Sequence, residues 1–223
     1  MHRVLIIAPE MGLEVHDEVY QAASGFAPRI LHGTVTRAQA LDQIASGKYD
    51  VIHFATHGQE HVLRLSDGVL EEEMLEHAVR RAASVKLIFL NACRSAHTAV
   101  EVYNHSDVSF SIGWPVDVAD DAALAWARLF YEALQIDPAD VRRAADVAND
   151  SLTRSHRIDP NQLPLVLNGR ALALLEENRR LRAQLDQQGV VRMPLWALLA
   201  IAAANAVLVL FLLANLVILS LTH

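Results

Sequence analysis

"YDVIHFATHGQEH" (residues 49–61) can be read as a helix or as a strand, and the two readings give different proteins. On a helix, His53, His57 and His61 would share one face, as metal-binding histidines do. On a strand, His53 and His57 stand two pleats apart, with Cα atoms more than about 10 Å from each other. The strand reading wins. Val51 and Ile52 are β-branched, and Gly58 closes the apolar run with a turn residue. A helical zinc-protease pattern also needs Glu directly after the first His, where Phe54 stands. His53 is then expected to pack behind a site at the strand's end, while His61, His97 and His105 are expected in solvated loops. No metal and no organic cofactor are expected.

Outward from this strand, short β-branched runs alternate with helical stretches. "RVLIIAP" (3–9), "ILHGTVT" (30–36) and "VKLIFLNAC" (85–93) read as strands, the first and last as runs buried on both faces. "TRAQALDQIASG" reads as a helix with a Thr cap and a closing Gly. Asp-Gly inside "VLRLSDGVL" (62–70) is a hairpin signal. "EEEMLEHAVRRAA" reads as a helix, "DVSFSIGWPV" as a strand and "ADDAALAWARLFYEALQI" as an amphipathic helix. This alternation predicts an α/β sandwich with a mostly parallel sheet, whose functional residues gather at the carboxyl ends of strands. His57 and Gly58 end one apolar run and Cys93 ends another.

That coincidence has a chemical meaning. A thiol attacks as the thiolate, so it needs a neighbouring base, and an imidazole can take that proton and later return it to a leaving amine. Gly58 lets backbone N–H come close to a substrate oxygen, and with the N–H of Cys93 it would form an oxyanion hole. Taken alone, a lone cysteine also reads as a small buried hydrophobe.

Several segments together carry a resemblance. "DVIHFATHG", "LRLSDGVLEEEML", "VKLIFLNACRS" and "SIGWPVDVADDAALAWARLFYEAL" resemble, in order and spacing, the CHAT domains, caspase-like peptidases of clan CD related to separase. The resemblance covers roughly residues 3–155. It implies a caspase-like three-layer sandwich, cysteine endopeptidase activity on a protein substrate, and a role as a triggered effector in bacterial stress or defence. It assigns His57 and Cys93 as the catalytic pair and Gly58 with Cys93 as the oxyanion hole. Asp120 matches the acidic residue before the family's aromatic helix, either ordering a substrate-side loop or capping that helix. Asn91 lies where several relatives carry a side chain that reaches the first specificity pocket; it is neutral, so a preference for basic residues is not inherited through it. A non-catalytic adaptor that uses the same fold to recruit partners is the alternative.

Composition divides the chain. Its 223 residues carry a formal charge of −7, which leaves no basic surplus for a general nucleic-acid partner. Its single cysteine allows no intrachain disulfide and fits a reducing compartment. The N-terminus lacks the pattern of a signal peptide. From Met193 to His223 no Asp, Glu, Lys or Arg occurs, and about 20 apolar residues suffice to cross a bilayer. Arg179, Arg180, Arg182 and Arg192 precede this segment and no basic residue follows it, which keeps the N-terminal part in the cytoplasm.

The expected organisation is therefore a peptidase domain (1–158), a linker and short coiled-coil-like stalk (159–192), and one C-terminal transmembrane helix (193–222). In the stalk, Ala171, Asn178 and Leu185 at a, with Leu167, Leu174, Leu181 and Gln188 at d, give the pattern of a parallel pair. Asn205 and Asn215 fall on one seam of the membrane helix with Leu208 and Leu212, where buried amides seek partners. Two arrangements stay open, a homodimer held by stalk and membrane helix or a monomeric stalk helix packed on the peptidase; either is expected at the inner membrane, with the lipid bilayer as a partner of residues 193–222. Deleting residues 193–223 is predicted to move the protein from the membrane pellet to the soluble fraction. Recovery of the full chain in the soluble fraction would contradict the anchor.

Overall fold

A computed structural model describes residues 2–10, 22–156 and 158–169. Six strands form the main sheet in the order β2-β1-β3-β7-β8-β9. They are β1 (Val4–Pro9), β2 (Arg29–Gly33), β3 (Val51–Ala55), β7 (Leu87–Asn91), β8 (Phe110–Gly113) and β9 (Leu165–Leu167). The first five run parallel, and β9 joins β8 antiparallel. A second sheet of three short antiparallel strands, β4 (Gly58–Gln59), β5 (Val62–Leu65) and β6 (Gly68–Glu71), follows β3 directly.

Strand periodicity sorts the core into two layers. Val4, Ile6, Val51, Ala55, Leu87, Phe89 and Ile112 pack on one face against α4 (Asp120–Ile136) and α5 (Val141–His156). Leu5, Ile7, Ile52, Phe54, Ile88 and Leu90 pack on the other, against α1 (Arg37–Ala45), α2 (Glu72–Arg81) and α3 (Ala96–His105). The result is the three-layer sandwich with a mostly parallel sheet that the alternating runs predict. Every residue of β1, β3 and β7 is buried, which is why these strands show no alternation in sequence.

Local signals set the helices. Thr36 and Gln39 close a reciprocal capping box on α1, and Gly47 follows its end at φ +66°. Helix α2 carries Glu72 and Glu73 in its first turn and Arg80 and Arg81 in its last, matching the helix dipole. Along α4, Ala122, Trp126, Ala127, Phe130, Tyr131 and Leu134 form one buried stripe.

Three readings need correction. The hairpin forms, but its two-residue turn is Ser66-Asp67, because Gly68 already pairs with Leu65 and takes φ +136°. The segment that follows Cys93 contains α3. His97 and His105 therefore lie on a helix, not in loops. Leu167, counted in the stalk's first d position, is fully buried in β9, so the sheet extends into the segment assigned to the linker. The rest of the proposed stalk and the span at 193–222 lie outside the described residues. Among the described residues, no helix is long and apolar enough to cross a membrane.

His53 sits in the middle of the α4 layer with no exposure. Its ring stacks on Phe89 at 4.3 Å, and Nδ1 is 3.1 Å from the Tyr131 hydroxyl, while Nε2 has no partner. Burial lowers its pKa from 6.5 to about 3. The unfolded chain therefore takes up a proton on His53 below pH 6.5 that the native protein refuses until about pH 3. This penalty is absent above the unfolded value and grows by roughly 1.4 kcal/mol per pH unit as the solution is acidified. Replacing both partners, His53→Phe with Tyr131→Phe, is predicted to remove about 2 kcal/mol of the stability that the wild type loses between pH 6.5 and 5. Urea unfolding at several pH values measures it, and identical slopes for both proteins would refute the assignment.

Candidate active site

Pairing between β3 and β7 positions the tips of both strands. The register runs Val51↔Leu87 through Ala55↔Asn91, and Thr56 N–H continues it to the Asn91 carbonyl at 3.4 Å. His57 and Cys93 each lie two residues beyond the last matched pair of these neighbouring parallel strands. Gly58 lies directly against the second chain. A Cβ on Gly58 would stand 2.5 Å from the Cys93 carbonyl oxygen and 2.9 Å from the Ala92 Cβ. Only glycine allows this approach.

The His57 side is held by the small sheet. Arg64 N–H donates to the His57 carbonyl at 2.9 Å, and the Thr56 hydroxyl donates to the Arg64 carbonyl at 2.6 Å. Gly58 pairs with Leu63 in β5. The backbone of His57 is thereby fixed while the residue stays exposed.

The Cys93 side is held by the loop that follows β8. Cys93 is half-buried, with Sγ 3.4 Å from Val118 N and 3.6 Å from the Val118 carbonyl. Arg94 turns the chain at φ +52°; its N–H donates to the Val116 carbonyl at 3.2 Å. Its guanidinium grips both oxygens of Asp117 at 2.9 and 2.7 Å, and that pairing raises the Arg94 pKa. The Ser95 hydroxyl donates to the Leu90 carbonyl at 2.8 Å and accepts from Trp114 N–H at 3.1 Å. Gly113 is needed beside it, since a Cβ there would stand 2.7 Å from the Ser95 carbonyl oxygen.

The other sequence candidates fall in different places. Asn91 is buried: its Oδ1 accepts from Trp114 Nε1 at 2.8 Å, and its Nδ2 donates to the Ala123 carbonyl at 3.3 Å. Asp120 is exposed in the first turn of α4, where Ala119 is the N-cap, so Asp120 favours the helix through charge rather than as its cap. Behind Val118 opens a cavity of about 310 Å³ lined by Trp114, Asp117, Val118, Asp121, Ile158 and Gln162, among others. Sequence reasoning did not single out Asp117 or Asp121. Their signal was only an acidic surplus in "PVDVADD". Among the described residues, one group outside the strand tips has metal-ligating chemistry, His61 with Glu72 and His97.

A family model described as the CHAT domain matches residues 8–182. No curated protein matches the chain in sequence. Among solved structures, the complex of Porphyromonas gingivalis RgpB pro- and mature domains is similar at a TM-score of 0.58 and 13% identity, over 74% of this chain and 47% of that one. The chain thus spans about half the length of that structure. A secreted C11 cysteine protease from Bacteroides thetaiotaomicron, in complex with an irreversible peptide inhibitor, is similar at a TM-score of 0.51 and 12% identity, over 78% of this chain and 68% of that one. At such identities the likeness establishes the fold.

The tight contact at the strand tips is testable. Gly58→Ala is predicted to destabilise the protein by about 1–3 kcal/mol, because rigid backbone, not a movable side chain, meets the new methyl. Gly58 is not at a positive φ, so the methyl contact alone carries this cost; Gly33→Ala, where nothing lies within 4 Å but φ is +81°, measures the separate cost of a left-handed backbone. Thermal unfolding compares them, and a Gly58→Ala protein as stable as wild type would refute the contact.

Proposed function

Because the chain belongs to the CHAT domain family, we propose that it is a cysteine endopeptidase acting through His57 and Cys93. The observation that carries this reading is the side-by-side ending of β3 and β7, with Gly58 against the Cys93 backbone. Cys93 Sγ, its proton passed to His57, attacks the scissile carbonyl carbon and forms a tetrahedral oxyanion. The N–H groups of Gly58 and Cys93 stabilise that oxygen. His57 then protonates the departing amine, leaving a thioester on Cys93. Water, deprotonated by His57, attacks the thioester, restores the thiol and releases the new carboxyl end. All groups come from this chain.

The cavity behind Val118 is the pocket for the residue that precedes the cut. It adjoins the nucleophile, since Val118 contacts Cys93 Sγ. Its wall is acidic: Asp121 lines it together with Asp117, and Asp120 stands next to it in sequence. The Asp117 charge is matched by Arg94, which leaves a net negative wall. A Lys or Arg side chain complements this wall. Asn91 serves the pocket from behind, through its bonds to Trp114 and to the first turns of α4.

In this reading the C-terminal apolar segment anchors the peptidase to the cytosolic face of a membrane, and stalk and anchor pair two copies. Substrates are then proteins that meet that surface, and a triggered role in stress or defence follows from such tethering.

Expression of wild type and Cys93→Ala in cells, with mapping of new protein N-termini, tests the proposal. New termini are expected only with the wild type under activating conditions, following Lys or Arg. Identical maps under every activating condition would favour a non-catalytic adaptor.

A further inference from the structure

The third histidine of the opening run has no part in the chemistry above, yet it does not stand alone. His61, in the turn between β4 and β5, points Nδ1 at Glu72 Oε1, 3.0 Å away. His97, near the start of α3, points Nδ1 at Glu72 Oε2, 3.1 Å away. The two imidazoles touch, with centroids 4.1 Å apart at 64°. Ligand atoms of all three residues lie within 4.8 Å of one another. We propose that His61, Glu72 and His97 form a binding site for a divalent transition cation of the zinc class.

Three observations point to a cation rather than to two ordinary ion pairs. The first is convergence. Charging both imidazoles would set two positive rings in contact over one carboxylate, whereas one divalent ion uses both rings as neutral ligands and the carboxylate as an anion. The second is distance. A tetrahedral zinc with bonds of 2.0–2.1 Å places its ligand atoms about 3.3 Å apart. Each Nδ1 already stands 3.0 or 3.1 Å from one of the two Glu72 oxygens, and one ligand atom from each residue lies within 4.8 Å of the others, so gathering them on an ion takes small side-chain shifts. The third is the backbone. His61 adopts φ +69°, a region that side chains with a Cβ enter at a cost and that clusters at functional positions. Its carbonyl accepts from Glu72 N–H at 3.0 Å, which locks the turn to the first residue of α2.

Two imidazoles and a carboxylate suit zinc more than magnesium or calcium, which prefer oxygen. Three protein ligands leave a fourth position for water or an outside ligand. Glu60, Glu71 and Glu73 flank the ligands in sequence and add negative charge. Sequence spacing hides this site because its ligands arrive from a turn and two separate helices. An occupied site would tie the turn that follows Gly58 to the helix that follows Cys93. The binding itself does not depend on the peptidase reading.

The test uses the full chain carrying Cys93→Ala, stripped by a chelator and titrated with Zn2+ against a chromophoric competitor. One tightly bound equivalent is expected. His61→Ala, His97→Ala and Glu72→Gln should each weaken it at least tenfold. His105→Ala, outside the trio, should leave it unchanged. Absence of an equivalent, or equal affinity in the three variants, would overturn the site. A second measurement does not depend on the variants folding. Co2+ bound to the wild-type chain, with Cys93 intact, should show visible d–d absorption without a thiolate-to-cobalt charge-transfer band. That band would place the ion on Cys93 and overturn the proposal.

Discussion

The register between β3 and β7 is the constraint on which the rest of the molecule depends. Because strand side chains alternate, a slip of one residue would turn His53 out of the α4 layer and move His57 relative to Cys93. The register is held from both ends. Lys86 and Leu87 N–H groups meet the Asp50 carbonyl where the two strands begin, and the Arg3 guanidinium binds the Asp50 carboxylate beside it. At the other end Gly58 presses on the Cys93 carbonyl, a fit that any larger residue would break. The five buried pairs between these ends are apolar except for His53 and Asn91.

The two tips are built differently. The His57 backbone is anchored by the small sheet that starts at Gly58, and the residue itself is exposed. Cys93 instead lies in a turn clasped by backbone bonds to Trp114 and Val116, by the Ser95 hydroxyl and by the Arg94–Asp117 pair. The Cys93 sulfur lies against Val118 beside that turn.

How far the sequence discloses this arrangement follows from the range of each signal. Buried strands, the Thr36 capping box and the apolar stripe of α4 are local patterns, and all are legible. So is the coincidence of His57, Gly58 and Cys93 at strand ends, because the end of an apolar run marks the end of a strand. Helix α3 was hidden because it has no side-chain cap and follows the Arg94 turn directly. Strand β9 has three residues beside Pro164, too short to show a period. The bonds of Asn91 to Trp114 and Ala123 join residues 23 and 32 positions away, and the convergence of His61, His97 and Glu72 spans three elements. No window along the chain contains such contacts.

Polar bonds inside the α4 layer explain why the cavity stands where it does. Apolar packing alone tolerates small shifts of a helix along a sheet, since many arrangements bury similar area. Two buried polar groups on the strands remove that tolerance. His53 meets Tyr131 in the middle of α4, and Asn91 meets the Ala123 carbonyl in its first turns. A helix slide of one residue would leave both the imidazole and the amide unpaired in the core, each at a cost of roughly 1–3 kcal/mol. With α4 fixed at two points, Asp121 and Ala122 are fixed as well, and they form one wall of the cavity beside Val118. Asn91 therefore borders the cavity without lining it. It sits two residues before Cys93, and through its bonds to Trp114 and the Ala123 carbonyl it ties the end of β7 to the elements that form the cavity wall.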